Sequence, residues 1–142
     1  MISEFLIPAL RNEFSGWEID FSPEAPVVAA FPESQKAMGR VLIYDDGDEA
    51  TISIEHITHG HFGNYDESLA TSEKEKVIVE DVIEFLKALF ADRVLLFKGK
   101  SIRFGGWYRL DLNDAPIELS QGRDYYLWSK PYPNYPDKEK II

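Results

Sequence analysis

At 142 residues, with 44% hydrophobic and 13% aromatic side chains, the chain is long enough to bury a core and too apolar for intrinsic disorder. A formal charge of −10 at pH 7 argues against nucleic acid as a partner, because a phosphate backbone repels so acidic a chain. The sequence has no cysteine, which excludes a disulfide framework and thiolate chemistry.

The opening stretch, Met1-Ile2-Ser3-Glu4-Phe5-Leu6-Ile7-Pro8, carries an acid where a signal peptide needs positive charge. No apolar run is long enough to cross a bilayer, so no membrane partner and a cytoplasmic location are expected. Leu6, Leu10 and Phe14 recur every four positions and predict a helix over 3–14, with Ser3 as its cap and Pro8 suited only to the first turn. Trp17-Glu18-Ile19-Asp20-Phe21 alternates apolar and acidic residues and predicts a strand with one buried face. Val27–Phe31, bounded by Pro26 and Pro32, predicts a second.

Val41–Tyr44 and Ala50–Ile54 flank Asp45-Asp46-Gly47-Asp48-Glu49, which reads as a hairpin because glycine accepts the positive φ of such turns. The acids there lack the spacing of a calcium loop. Ser72 and Glu75 match a capping box for a helix over 73–91. Ile78, Val79, Val82, Ile83, Phe85, Leu86, Leu89 and Phe90 sweep one face of that helix, wide enough to lie on a sheet.

Val94–Phe97, a turn near Lys98-Gly99-Lys100, and Ser101–Leu110 predict another hairpin. The expected architecture is a single α+β domain over 1–142, ordered α-β-β-β-β-α-β-β. It has a largely antiparallel sheet of about five to six strands with both helices on one face. Residues 123–142, rich in aromatics and proline, are expected to run extended and wrap the body, with a homodimer through this tail as an alternative.

Three features carry candidate chemistry. All three histidines fall within His56-Ile57-Thr58-His59-Gly60-His61, with Asp66 close behind, and neutral imidazole is a common metal ligand. If the strand begun at Ala50 runs on, His56 points to the core and His59 away from it; a bend at Gly60 is needed to bring His59, His61 and Asp66 to one zinc or other divalent metal. Glu55 is then the candidate base and His59 its partner in proton transfer, with Arg103 available for an anionic substrate.

The second feature is the stretch from Arg93 to Arg109, with five basic residues and no acid. Continuous alternation puts Arg103, Trp107 and Arg109 on one outer face, a combination enriched at protein interfaces, unless Gly105-Gly106 forms a bulge. Tail aromatics Tyr126, Trp128 and Tyr132 extend that contact set as the third feature. Nucleophile-elbow, dinucleotide-fingerprint and Walker patterns are absent from the sequence. The expectation is therefore a non-catalytic interaction domain, resembling in size and charge an inhibitor or immunity-type partner of a basic protein. The alternative is a histidine-centred enzyme or small-ligand binder.

Overall fold

The computed structural model describes residues 1–99, 105–112 and 117–132. In chain order they form helix α1 (Ile2–Glu13), strands β1 (Val27–Phe31), β2 (Val41–Asp45), β3 (Glu49–Ile54) and β4 (Thr58–Gly63), and helix α2 (Thr71–Phe90). Strands β5 (Val94–Gly99), β6 (Gly105–Arg109) and β7 (Arg123–Tyr126) follow. The α+β class and antiparallel pairing are as expected, but the strands divide into two sheets, β1-β2-β3-β4 and β6-β5-β7.

Alternation sends Val41, Ile43, Ala50, Ile52 and Ile54 to one face of the first sheet. There they join Ile2, Leu6 and Leu10 of α1 and Ile78, Val82, Leu86 and Leu89 of α2 in one buried cluster. Each such side chain contributes about 1.5–3 kcal/mol by leaving water, so this layer dominates the fold. Gly47 takes φ +96° at the β2–β3 turn, where the sequence calls for it.

The helix starts differ from expectation. Helix α1 begins at Ile2, so Ser3 is not its cap and Pro8 lies in the helix interior. One free donor of its first turn, the Ser3 N–H, is met by Asp45 Oδ2 at 2.9 Å, from the end of β2. Helix α2 begins at Thr71 behind Ala70, so Ser72 lies inside it. Glu75 turns inward instead of closing a capping box, buried 3.2 Å from the Met1 amino group.

Trp17–Phe21 is not a strand. A single bridge ties Asp20 to Ala30, and Trp17 turns over to pack on Phe31 and Phe90, with ring centroids 5.7 and 4.3 Å away. Its alternation reflects an aromatic cap on the core, not a ladder.

Strand β5 is buried on both sides, which explains its unbroken Val94-Leu95-Leu96-Phe97 run. Val94 and Leu96 join the main cluster, while Leu95 joins Leu119, Tyr125, Leu127 and Tyr132 in a second one, with Phe97 and Tyr108 packed against it. The tail up to Tyr132 therefore wraps its own chain: β7 pairs with β5, and Trp128 is buried against Phe90. Residues 133–142 of the predicted tail lie outside the described residues.

The two sheets meet where β4 and its preceding turn approach β6. A Cβ on Gly105 would stand 1.8 Å from the Ile57 carbonyl oxygen, and one on Gly60 2.2 Å from the Trp107 ring. Glycine at both positions is what lets the strands close. Among the described residues no helix is long and apolar enough to cross a membrane.

Candidate functional site

The strand begun at β3 does not run on through the histidines. Ile57 N–H donates to the Ile54 carbonyl at 2.9 Å, reversing the chain at residues 55–57, and the return strand β4 carries the rest of the window. Ile57, not His56, is the buried side chain at this turn. His56 sits in the turn beside Gly39, whose φ of +78° and close contact with the imidazole both require glycine.

Register then fixes the other two histidines. Ser53 lies opposite His59 and Thr51 opposite His61, so both imidazoles stand on the sheet face that the helices leave uncovered. Gly60 and Phe62 point the other way, under Trp107 and against Phe85. The His59 and His61 ring centroids are 5.2 Å apart. The Thr51 hydroxyl donates to Asp46 Oδ2 at 2.5 Å and lies 2.8 Å from His61 Nδ1. With its one proton on Asp46, that hydroxyl accepts from His61 Nδ1–H.

Tyr44, Asp46, Asp48, Glu49, Thr51, Ser53, His59 and His61 thus line an open groove of about 610 Å³ on this face. Among the described residues its formally charged lining is all carboxylate. The Tyr65 hydroxyl hydrogen-bonds Glu49, and that bond holds the phenol above its ordinary pKa.

Adjoining this groove at Ser53 and His59, around the β3–β4 turn, lies a larger cleft of about 840 Å³. Glu55, His56 and His59 from the hairpin, Lys98 and Tyr126 from the second sheet, and Lys36 from the β1–β2 connection face into it. His59 borders both cavities.

The residues expected to act together are distributed otherwise. His56, His59, His61 and Asp66 do not converge. Asp66 accepts from the backbone N–H and the hydroxyl of Ser68, at 3.0 and 2.6 Å, and these bonds hold its carboxyl below the ordinary range. Among the described residues no group of three or more His, Asp or Glu side chains is placed to hold a metal.

Glu55 is engaged by Arg40 through Nε at 2.9 Å, Nη2 at 3.2 Å and the backbone N–H at 2.8 Å. The guanidinium holds this carboxyl below the usual carboxylate range, which weakens it as a proton acceptor.

The expected outer face of β6 faces inward. Trp107 packs on Phe85 of α2 with centroids 4.6 Å apart, and Arg109 is gripped by Glu84 of the same helix and by Asp111. Those bonds raise the Arg109 pKa and lower those of Glu84 and Asp111. The alternation of β6 is right, but α2 reaches over that side of the strand as well. Trp128 and Tyr132 are core residues at 7% exposure each, Tyr126 is half-buried at the cleft, and Arg103 lies outside the described residues.

Sequence reasoning missed the groove residues Tyr44, Thr51 and Ser53. The signal was present: the Asp-Gly turn sets a register in which Tyr44 faces Thr51, and alternation puts both on the face opposite Ile43 and Ile52. Comparison with protein-family models, with curated proteins and with solved structures finds no match in any of the three.

Proposed function

We propose that this chain is a protein-interaction domain whose uncovered sheet face receives a basic segment of another protein. One observation carries the reading: both helices pack on the Ile43/Ile52 face, leaving the opposite face with a groove whose charged rim is Asp46, Asp48 and Glu49. A lysine or arginine entering it would meet carboxylates together with the Tyr44, Thr51 and Ser53 hydroxyls, the partners that charge-assisted hydrogen bonds need. The surface is therefore moved from the Trp107 strand to the reverse of the β2–β3–β4 ladder. Nucleic acid does not fit an acidic groove, and a cytoplasmic location belongs to this same reading.

The test uses a synthetic lysine- and arginine-rich peptide titrated into isotope-labelled protein. Shifts centred on Tyr44, Thr51, Ser53 and His61, lost in Asp48→Lys/Glu49→Lys and weakened by added salt, are the expected result. Perturbations scattered over the surface, or unchanged in the double variant, would overturn the proposal.

A second reading, histidine-centred chemistry, draws on the Asp46–Thr51–His61 chain, which orients one imidazole through its Nδ1. It predicts pH-dependent turnover abolished by His61→Gln. Binding of the peptide without any such activity favours the interaction reading.

A further inference from the structure

We infer that the cleft between the β3–β4 turn and the second sheet is a binding site for a small organic anion bearing a phosphate or carboxylate group. In a chain of formal charge −10, its lining gathers Lys36, Lys98, His56 and His59 around one cavity of about 840 Å³. That volume falls within the range of about 300–1,000 Å³ typical of small-ligand sites.

Of the two carboxylates at the cleft, Glu55 is neutralised locally. Glu55 gives both oxygens to Arg40 and its backbone N–H. Asp124 stands across the β5–β7 ladder from Lys98, so one carboxylate remains beside the two ammonium groups. Among the described residues neither Lys36 nor Lys98 is in an ion pair, so two ammonium groups face the cavity with donors to spare.

Neutral donors surround them. The Ser53 and Thr58 hydroxyls line the walls, and Tyr126 keeps its proton because burial, and then the charge of Asp124, raise its pKa. Cations and hydroxyl donors converging on one cavity fit an occupant that is rich in acceptor oxygens and negatively charged. Ammonium groups recognise such a head as point charges and do not demand the planar geometry of a guanidinium clamp. The site shares Ser53 and His59 with the acidic groove but takes its cations from Lys36 and Lys98, which do not line that groove, and it does not depend on the interaction reading.

The experiment measures binding of pyrophosphate and of citrate at fixed ionic strength, by calorimetry and by thermal shift, to the full chain. Saturable binding of either probe to the wild type is expected, weakened about tenfold or more in Lys98→Met and in Lys36→Met, as loss of one charged hydrogen bond implies. The Asp48→Lys/Glu49→Lys protein should bind the probe as the wild type does. The stronger probe tells whether a phosphate or a carboxylate head is preferred. Lys36→Met guards against misfolding, since Lys36 is an exposed loop residue and its loss leaves the ladders intact. No saturable binding of either probe, or binding by both lysine variants as tight as by the wild type, would overturn the inference.

Discussion

Gly105→Ala probes the contact on which the arrangement of the two sheets rests. The added Cβ would stand 1.8 Å from the Ile57 carbonyl oxygen and 2.8 Å from its carbon, both backbone atoms of a tight turn. Comfortable separation of non-bonded heavy atoms is about 3.5 Å, so β6 or the turn must withdraw by roughly 1.5 Å. Withdrawal also lifts Trp107 from Gly60 and Phe85, two residues further along the same strand. Overpacking costs about 1–3 kcal/mol, and the upper end applies where no flexible side chain can give way. A loss of about 3 kcal/mol corresponds to a melting temperature lower by roughly 10 °C in a domain of this size. Urea unfolding followed by circular dichroism and by calorimetry measures both quantities. Gly122→Ala is the control: its Cβ meets nothing within 4 Å, and stability should change by no more than about 0.5 kcal/mol. A Gly105→Ala protein as stable as the wild type would refute the close approach of β4 and β6.

Four further expectations concern individual side chains. Trp107→Ala should destabilise by about 2–4 kcal/mol, through loss of its packing on Phe85, and still bind the basic peptide at temperatures where it is folded; lost binding in a fully folded variant would restore Trp107 as a contact residue. Arg109→Met should cost about 1 kcal/mol near neutral pH. Because Arg109 lowers the folded pKa values of Glu84 and Asp111, their contribution is complete above the unfolded carboxylate range and fades as pH falls through the folded values, so the two proteins should converge in stability below about pH 4; a gap that persists in acid would point to packing instead. Thr51→Val removes the acceptor for His61 Nδ1–H, and imidazole nitrogen shifts should show the ring moving toward the other tautomer, with no change counting against the Asp46–Thr51–His61 chain. Stoichiometric zinc should leave the melting temperature unchanged in wild type and His59→Ala alike, and a shift lost in the variant would revive the metal reading.

What the sequence made legible follows the strength of its local signals. Helix α2 could be read because eight apolar side chains fall on one face, and the β2–β3 hairpin because Asp-Gly has one natural backbone use. Strand β4 could not, since Glu55-His56-Ile57 turns the chain without glycine, proline or asparagine to mark the reversal. Strand β7 was masked by Arg123 and Asp124 and by the prolines that follow.

The division into two sheets left no local trace. It depends on β6 packing beside β4 through Gly105, a tertiary contact that the Gly105-Gly106 pair announces only as a bulge. The candidate site inherited these gaps. Alternation correctly paired Trp107 with Arg109 and opposed them to Tyr108, but a strand's pattern cannot say which of its sides a helix will cover. The histidine window does not gather ligands; it borders two adjoining cavities.

The three histidines also report on where a partner docks. Labelling with diethyl pyrocarbonate, read by mass spectrometry with and without the lysine- and arginine-rich peptide, should show His61 protected and His56 as reactive as before, since His61 lines only the acidic groove, His56 only the other cleft, and His59 both. Protection of His56 with His61 untouched, or of neither, would contradict the assignment of the uncovered sheet face as the binding surface.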